Sequence, residues 1–165
     1  MRALLKSFSM KSKEIALAEL TLRKYERPYK VKGRDLVSKL CLSIGLLQPG
    51  DSRDIIVDVL MILLTNKQLT PKEIEDKVIE QRKRLKLPLV GIAASNLRRQ
   101  LKRLKDLFLI EKTPTHYRIA ENELLTNLYD EKIEQFMLRS IKERVREYFS
   151  AVDNEFRKQK ARKKQ

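Results

Sequence analysis

The densest apolar run of the chain is the feature that most restricts its fold. It extends over ten residues, from Ile55 to Leu64, and Asp58 is its one charged residue. A membrane-spanning helix needs about 20 apolar residues, so this run is too short to cross a bilayer. Its apolar side chains instead cover a wide face of a helix predicted over Arg53–Thr65. We therefore expect this helix to be central to the protein core.

Two helices are predicted before the central one. Apolar spacing predicts the first over Lys13–Tyr25, and the next proline ends it because its ring clashes with a continuing helix. The second is predicted over Arg34–Leu47 and is followed by a turn. Asp51 or Ser52 is expected to cap the central helix. Residues 1–50 are thus predicted to form an N-terminal arm and helices.

The start of the helix after the central one has the clearest boundary signal in the chain. Thr70 and Glu73 have the spacing of a capping box, in which each side chain binds the backbone of the other residue. Pro71 stands at the first helical position, where its missing N–H costs nothing. The pattern predicts a helix from Pro71 to about Leu85.

A basic helix and a hairpin are predicted next. The helix extends over Ile92–Leu107, and five of the eight residues from Arg98 to Lys105 are Lys or Arg. Two short β-like runs, Phe108–Lys112 and His116–Ile119, predict a hairpin because a hairpin-length loop separates them. The core predicted for these helices consists of Ile55, Val59, Leu63, Ile74, Leu97, Leu101 and Leu104.

The last part of the chain is predicted to be one long helix over residues 121–156. Its apolar residues recur mostly every four positions between Leu125 and Phe156. Thirty residues of helix measure about 45 Å, which is longer than a domain of this size can cover. A second copy of the chain is the expected partner for the remaining stripe. The basic residues 157–165 are expected to form a disordered tail.

The order of these elements resembles a known family. The segments Leu69-Thr-Pro-Lys-Glu-Ile74, Leu97-Arg-Arg-Gln-Leu-Lys-Arg-Leu104, Leu107-Phe-Leu-Ile-Glu-Lys112 and Tyr117-Arg-Ile119 carry the likeness. Together they resemble prokaryotic winged helix-turn-helix transcriptional regulators of the MarR and ArsR kind. The resemblance covers residues 51–120 and implies a mainly α fold with a β-hairpin wing and double-stranded DNA as the partner.

One position departs from the family pattern. Such families usually have Gly or Asn where Phe108 stands, because the chain there often takes a left-handed conformation. A bulky aromatic residue is strained in that conformation. We therefore expect the basic helix to end differently or to run one residue longer.

Charge supports the same interpretation independently. The chain has 37 Lys and Arg residues against 22 Asp and Glu residues, a formal charge of +15 that suits a polyanionic partner. Arg and Lys neutralise phosphates, while Arg and Asn form bidentate contacts with base edges. In a helix-turn-helix, the N-terminal part of the recognition helix approaches the bases. The candidate DNA-binding residues are Ser95, Asn96, Arg98, Arg99, Lys102 and Arg103 on this helix, Arg82 and Arg84 before it, and Lys112, Thr115, His116 and Arg118 on the wing.

Composition argues against several other classes of protein. One cysteine and one histidine exclude a disulfide framework and a Cys- or His-rich metal site. No nucleophile, base or carboxylate pair stands at a working spacing, so we expect no enzymatic activity and no cofactor. Cys41 lies on an apolar stripe and is expected to be buried, with a redox-sensor role as the alternative. No secretory or membrane segment is predicted, so we expect a cytoplasmic protein.

Two functions remain open from the sequence. The first is a homodimeric transcriptional regulator that reads the major groove with helix 92–107 and dimerises through its C-terminal helix. The second is a winged-helix subunit of a larger transcription, replication or RNA-processing assembly that docks on protein or RNA. A stable dimer on a two-fold DNA site favours the first function, and a monomer bound to protein or RNA favours the second.

Overall fold

A central apolar helix organises the fold. The computed structural model describes residues 14–162, and in them the chain is mainly helical with one small antiparallel sheet. The elements before the sheet are α1 (Gly33–Ser43), α2 (Ile55–Thr65), α3 (Pro71–Arg84) and α4 (Ala94–Asp106). The strands are β1 (Ile110–Lys112) and β2 (Tyr117–Ile119), and the chain continues into α5 (Leu125–Leu128), a π-helical segment (Tyr129–Leu138) and α6 (Arg139–Arg162).

Helix α2 contacts α1, α3, α4 and β2. Eight of its residues, Asp58 among them, are buried. The seven core residues predicted from the sequence are all buried in one cluster, so that prediction is confirmed. The core therefore forms around α2 because its neighbours each turn an apolar face toward it.

The predicted helix over Lys13–Tyr25 is wrong for the described residues, and Lys13 lies outside them. Residues 14–27 form no helix, and short 3₁₀ turns occur only at Pro28–Lys30 and later at Ala120–Asn122. The segment instead lies along the end of α1. The Arg23 backbone N–H donates to the Ser43 carbonyl at 2.8 Å, and its guanidinium donates to the Leu42 carbonyl at 2.7 Å. These bonds to α1 replace those that a local helix would make.

Helix α1 ends four residues earlier than predicted. Gly45 has a φ of +74°, and the Leu46 N–H donates to the Cys41 carbonyl at 2.9 Å, which closes the helix in a Schellman motif. A Cβ on Gly45 would lie 2.6 Å from the Cβ of Thr21. Glycine is thus required both by the backbone conformation and by the close passage of the N-terminal segment.

The predicted cap of the central helix is also wrong. Helix α2 begins at Ile55 and its N-cap is Asp54, which makes no side-chain capping bond. The Asp54 carboxylate accepts hydrogen bonds from Arg34 and Arg82 instead. Asp51 accepts from the Arg53 backbone N–H at 2.9 Å, so it stabilises the turn before the helix.

The capping box of α3 is confirmed. The Glu73 N–H donates to the Thr70 hydroxyl at 3.2 Å, and the Thr70 N–H donates to the Glu73 carboxylate at 2.7 Å. The helix ends at Arg84, and Lys86 takes a left-handed φ of +55° just after it. The Leu87 N–H donates to the Arg82 carbonyl at 2.9 Å, so this end is again a Schellman motif.

Helix α4 ends in the left-handed turn that Phe108 was expected to avoid. Phe108 has a φ of +59°, and the Leu109 N–H donates to the Leu104 carbonyl at 3.1 Å. A left-handed non-glycine residue costs roughly 1–2 kcal/mol. The ring packs edge-to-face on Phe136 with centroids 5.9 Å apart, and this contact offsets the strain.

The hairpin follows α4 directly. Strands β1 and β2 pair Ile110 with Ile119 and Lys112 with Tyr117. Tyr117 also exchanges two backbone hydrogen bonds with Leu69, at 2.9 and 2.7 Å, which fastens the hairpin to the connection between α2 and α3. The predicted hairpin is confirmed with shorter strands.

The segments α5, Tyr129–Leu138 and α6 run on as one helix, which we call the C-terminal helix. Their junction residues keep right-handed helical backbone angles. The prediction of a disordered tail is wrong for residues 157–162, which continue the helix, and residues 163–165 lie outside the described range. Lys, Arg, Gln and Ala favour helix, which explains the extension.

Candidate nucleic-acid interface

The outward face of α4 is the predicted recognition surface, and it carries exposed basic residues. Leu97, Leu101 and Leu104 turn toward the core, together with Gln100. This inward stripe leaves the opposite face to solvent. The exposed residues on that face include the predicted Ser95, Arg98, Arg99 and Lys102.

These cations differ in their freedom to bind a partner. The Lys102 ammonium lies 2.6 Å from the Asp106 carboxylate in an exposed ion pair. Within residues 14–162, Arg98 and Arg99 make neither a salt bridge nor a side-chain hydrogen bond. Their guanidinium groups therefore hold all their donors available for an anion.

Arg103 was predicted as a DNA contact, but the structure gives it a structural position. It is half-buried, and its guanidinium donates to the Leu46 carbonyl at 2.7 Å and to the Gln100 side chain at 2.8 Å. Burial lowers the pKa of Arg103, and the positive charge of Arg99 lowers it further. Because its donors are engaged inside the chain, Arg103 holds the connection after α1 against α4.

Asn96 is similarly engaged. Its amide donates to the Gly91 carbonyl at 2.6 Å and accepts from the Gln100 amide at 3.0 Å. Gly91 has a φ of +81°, and a Cβ there would lie 3.1 Å from the Asn96 amide. Asn96 therefore positions the turn that leads into α4.

Arg82 was also predicted to bind phosphate, and this prediction is wrong because its side chain is only 3% exposed. Its guanidinium is ion-paired with Asp58 and Asp54 and donates to the Pro88 carbonyl at 2.8 Å. A group enclosed in this way has no surface to offer to DNA.

The buried Asp58 and Arg82 form a closed cluster of charges with Arg34 and Asp54, which are partly buried. Asp58 also accepts from Arg34 Nε at 3.0 Å and from the Gln81 amide at 2.8 Å. Burial raises the pKa of Asp54, but the hydrogen bonds from Arg34 and Arg82 outweigh it and leave that pKa below its ordinary value. The hydrogen bond to Asp58 raises the pKa of Arg34.

The sequence held a signal for this cluster. Asp58 interrupts the most apolar run of the chain, and a buried carboxylate requires a cationic partner. Two arginines from α1 and α3 supply it and link those helices to α2. Sequence reasoning identified Asp58 but did not assign its partners.

The end of α3 keeps an exposed basic group. Arg84, a predicted DNA contact, is exposed, as are Lys83 and Lys86 beside it. Lys83 and Arg84 are the last residues of α3, and Lys86 lies in the Schellman turn that ends the helix. This end of α3 therefore retains positive charge although Arg82 is buried.

The hairpin contributes one exposed cation. Lys112 is exposed, with its ammonium 5.7 Å from the centroid of the Tyr117 ring. Arg118 is ion-paired with Glu111 at 2.6 Å, which partly neutralises it. At the loop, the exposed Thr115 hydroxyl lies 2.7 Å from Nδ1 of His116.

A polar cleft adjoins the α4 face. Its volume is about 870 Å³, and its lining includes Arg53, Arg99, Arg103, Asn96 and Asp51. Arg53 was not among the predicted site residues, because it precedes α2 in sequence and no local pattern relates it to α4. The fold alone brings it to the same cleft as Arg99.

The one thiol of the chain lies in its described part. Cys41 is buried, as predicted, and burial raises its pKa to about 12, so its thiol stays protonated at neutral pH. In residues 14–162 no three His, Cys, Asp or Glu side chains are grouped to hold a metal ion. None of the helices over the same range has both the length and the apolarity that crossing a bilayer requires.

Comparison with known proteins leaves the interpretation to the residues of the site. No family model matches this chain, and neither a curated protein nor a solved structure matches it.

Proposed function

We propose that residues 51–120 form a winged helix-turn-helix and that the chain is a cytoplasmic DNA-binding transcriptional regulator. In this interpretation α3 and α4 are the helix-turn-helix, α2 supports them, and the β1–β2 hairpin is the wing. The packing of α2 against both helices and the hairpin directly after α4 support the assignment.

The observation that carries the proposal is the outward face of α4. Arg98 and Arg99 extend from it with no intramolecular partner among the described residues, and Ser95 and Lys102 share the face. Arg presents paired donors that match guanine edges and phosphates. The N-terminal half of α4 is the part that a recognition helix inserts into the major groove.

Electrostatics extends the surface beyond α4. Lys83 and Arg84 are the last residues of α3, Lys86 lies in the connection before α4, and Lys112 lies on the hairpin. Exposed cations of this kind neutralise phosphates and release counterions, which gives affinity without sequence preference. Base specificity is then assigned to Ser95, Arg98 and Arg99.

The test compares two variants with equal loss of charge. Arg98→Ala/Arg99→Ala/Lys102→Ala removes three cations from the face, and Lys24→Ala/Lys30→Ala/Lys32→Ala removes three exposed cations from the N-terminal segment. Fluorescence anisotropy on duplex DNA should show a loss of binding in the first variant and little change in the second. If the three residues contact phosphates, the slope of log affinity against log salt should fall by about 0.9 for each contact.

Two results would contradict the proposal. Equal effects of the two triple variants would mean that only net charge matters. Tighter binding of the wild-type chain to single-stranded RNA than to duplex DNA would support the alternative, a winged-helix subunit of a larger assembly.

We further propose that the regulator is a homodimer that pairs through the C-terminal helix. The apolar stripe of this helix is covered at Ile133 but exposed at Val145, Phe149 and Phe156. Ile141→Asp/Val145→Asp should give monomers in light scattering, whereas Ser140→Asp/Ser150→Asp adds the same charge outside the stripe and should leave dimers. A wild-type mass near the chain mass of 19.5 kDa at micromolar concentration would refute the dimer.

A further inference from the structure

We infer that the two copies pair along the C-terminal helix in antiparallel orientation, centred near residue 147. The inference rests on the homodimer proposed above and adds the direction and the register of the pairing. It is carried by the apolar face of α6 and by the order of charges along the same helix.

The apolar face is continuous and open. Val145, Phe149, Val152 and Phe156 recur at spacings of four, three and four, so they align on one side of α6. Their exposed fractions are 48%, 73%, 55% and 54%. Leu138 and Ile141 continue the line toward the body of the protein, on the same side of the helix as Val145 and Phe149. A helix with the same apolar line, from a second copy, can pack on this face.

Charge alternates in blocks along this helix. Residues 129–138 carry three acidic side chains and one basic, and residues 139–146 carry four basic and one acidic. Residues 147–156 carry three acidic side chains and no basic one, and residues 157–162 carry four basic and no acidic one. The net sign is therefore negative, positive, negative and positive, and it inverts about the boundary between residues 146 and 147.

This order discriminates between the two directions of pairing. A parallel pair would place every block beside its own copy, with like charges together along the whole helix. An antiparallel pair centred near residue 147 places 139–146 beside the partner's 147–156 and places 129–138 beside the partner's 157–162. Like charges in register disfavour a pairing and opposite charges favour it, so the antiparallel arrangement is selected.

The same register aligns four of the six apolar residues of the line, and it places Ile141 opposite Asp153 of the partner subunit. It places Val145 opposite Phe149 of the partner subunit and Leu138 opposite Phe156 of the partner subunit. Lys142 comes opposite Val152 of the partner subunit, where the aliphatic stem of the lysine can cover the valine.

Two ion pairs on α6 lie within the chain. Arg139 contacts Glu143 at 2.9 Å, and Arg144 contacts Glu147 at 2.8 Å. Among the described residues Arg146 and Asp153, which flank the apolar line, have no ion-pair partner. They remain available to the opposite block of a second copy.

Cysteine cross-linking tests the direction. A disulfide needs Cα atoms within about 7 Å. In the antiparallel pair the two copies of residue 152 are about 15 Å apart along the helix, whereas residue 142 of one copy lies beside residue 152 of the other. A tagged Val152→Cys chain mixed with Lys142→Cys chain should therefore give a mixed disulfide, and Val152→Cys alone should not cross-link. Cys41 is buried and stays unchanged in all variants.

Charge reversal supplies an independent test. Asp153→Lys/Glu155→Lys should raise the dimer dissociation constant about tenfold at low salt, because it places like charges opposite the basic block. Adding Arg139→Glu/Lys142→Glu to the same chain should restore the wild-type value. Circular dichroism and thermal melting check that each variant is folded.

Three outcomes would overturn the inference. These are a Val152→Cys chain that cross-links with itself, a dimer without the mixed disulfide, and a monomeric wild-type chain. DNA binding is measured separately on the α4 variants. The orientation can therefore fail while the proposed DNA-binding face stands, and the reverse also holds.

Discussion

Helices α4 and α6 carry apolar stripes of the same kind but differ in their surroundings. On α4, Leu97, Leu101 and Leu104 recur at spacings of four and three and are at most 4% exposed. On α6, Phe149 and Phe156 belong to an equally regular stripe, yet more than half of each side chain is exposed. The first stripe is covered by the chain itself, and no other described residues cover the second.

The difference shows what helical periodicity means. An apolar stripe indicates which face of a helix seeks a partner, but it does not indicate whether the partner is in the same chain. Helix α4 lies within reach of α2 because short connections join them. Helix α6 has 24 residues and is about 36 Å long, and it follows the last core residue, Ile133, so no other element of residues 14–162 covers its far half.

The largest loss of stability should come from removing Asp58, the buried carboxylate that pairs with Arg34 and Arg82. Asp58→Ala leaves Arg34 and Arg82 short of a buried partner and should lower the free energy of unfolding by about 3–5 kcal/mol. Glu147→Ala breaks the exposed Arg144–Glu147 pair on α6 and should leave stability unchanged within error. Urea titration of both variants measures the contrast, and equal stabilities would show that the buried cluster adds nothing to the fold.

The two stripes can be compared directly. Leu101→Ala should cost roughly 2–5 kcal/mol because it leaves a cavity in the core. Phe149→Ala should cost far less under conditions that keep the chain monomeric, since its side chain already faces water. Denaturant titration at low protein concentration decides this, and a neutral Leu101→Ala would mean that the assignment of helix faces is wrong.

A smaller effect is expected at the start of α3. Thr70→Ala removes the hydroxyl that accepts from the Glu73 N–H and should cost about 1 kcal/mol. Thr126→Ala, on the exposed start of the C-terminal helix, is the matched control. Thermal melting should separate the two variants by a few degrees, and coincident curves would argue against the cap.

The smallest effect on stability at neutral pH concerns the titration of Asp54, which belongs to the charge cluster with Arg34, Asp58 and Arg82. Because the folded pKa of Asp54 is below its unfolded value, near 3.9, the unfolded chain binds the proton more readily. Stability from this group is thus present above about pH 4 and is lost as the pH falls further. Asp54→Asn should make stability depend less on pH below about pH 4, as measured by denaturant titration at several pH values. An unchanged pH dependence would mean that other carboxylates cause the loss of stability in acid. Glu111 is one of these, because the hydrogen bond from Arg118 lowers its pKa.

Sequence patterns correctly predicted the features that depend on neighbouring residues. The capping box at Thr70, the turn between β1 and β2 and the inward stripe of α4 all depend on residues within a few positions of one another. The predictions that were wrong depended on distant partners. Arg82 was assigned to the surface because its neighbours in sequence are basic, but Asp54 and Asp58 draw it into the core.

The N-terminal segment and Phe108 also contact residues that are distant in the sequence. Residues 14–27 have apolar residues at helical spacing, yet they form no helix. The Arg23 backbone and guanidinium instead donate hydrogen bonds to carbonyls of α1, and Thr21 lies against Gly45. Phe108 adopts a left-handed angle at the end of α4, and its ring packs on Phe136, 28 positions later. Neither outcome has a signal within one turn of the residue.

The sequence by itself determined the order of the helices after residue 33, the faces that they bury and the basic character of α4. These features follow from period, capping and charge, which act between near neighbours. Only the tertiary structure decided which cations stay free, since burial and ion pairing depend on residues far apart in the chain. It left Arg98 and Arg99 exposed, enclosed Arg82 and half-buried Arg103, because an arginine is available to a partner only where no carboxylate or carbonyl of its own chain reaches it.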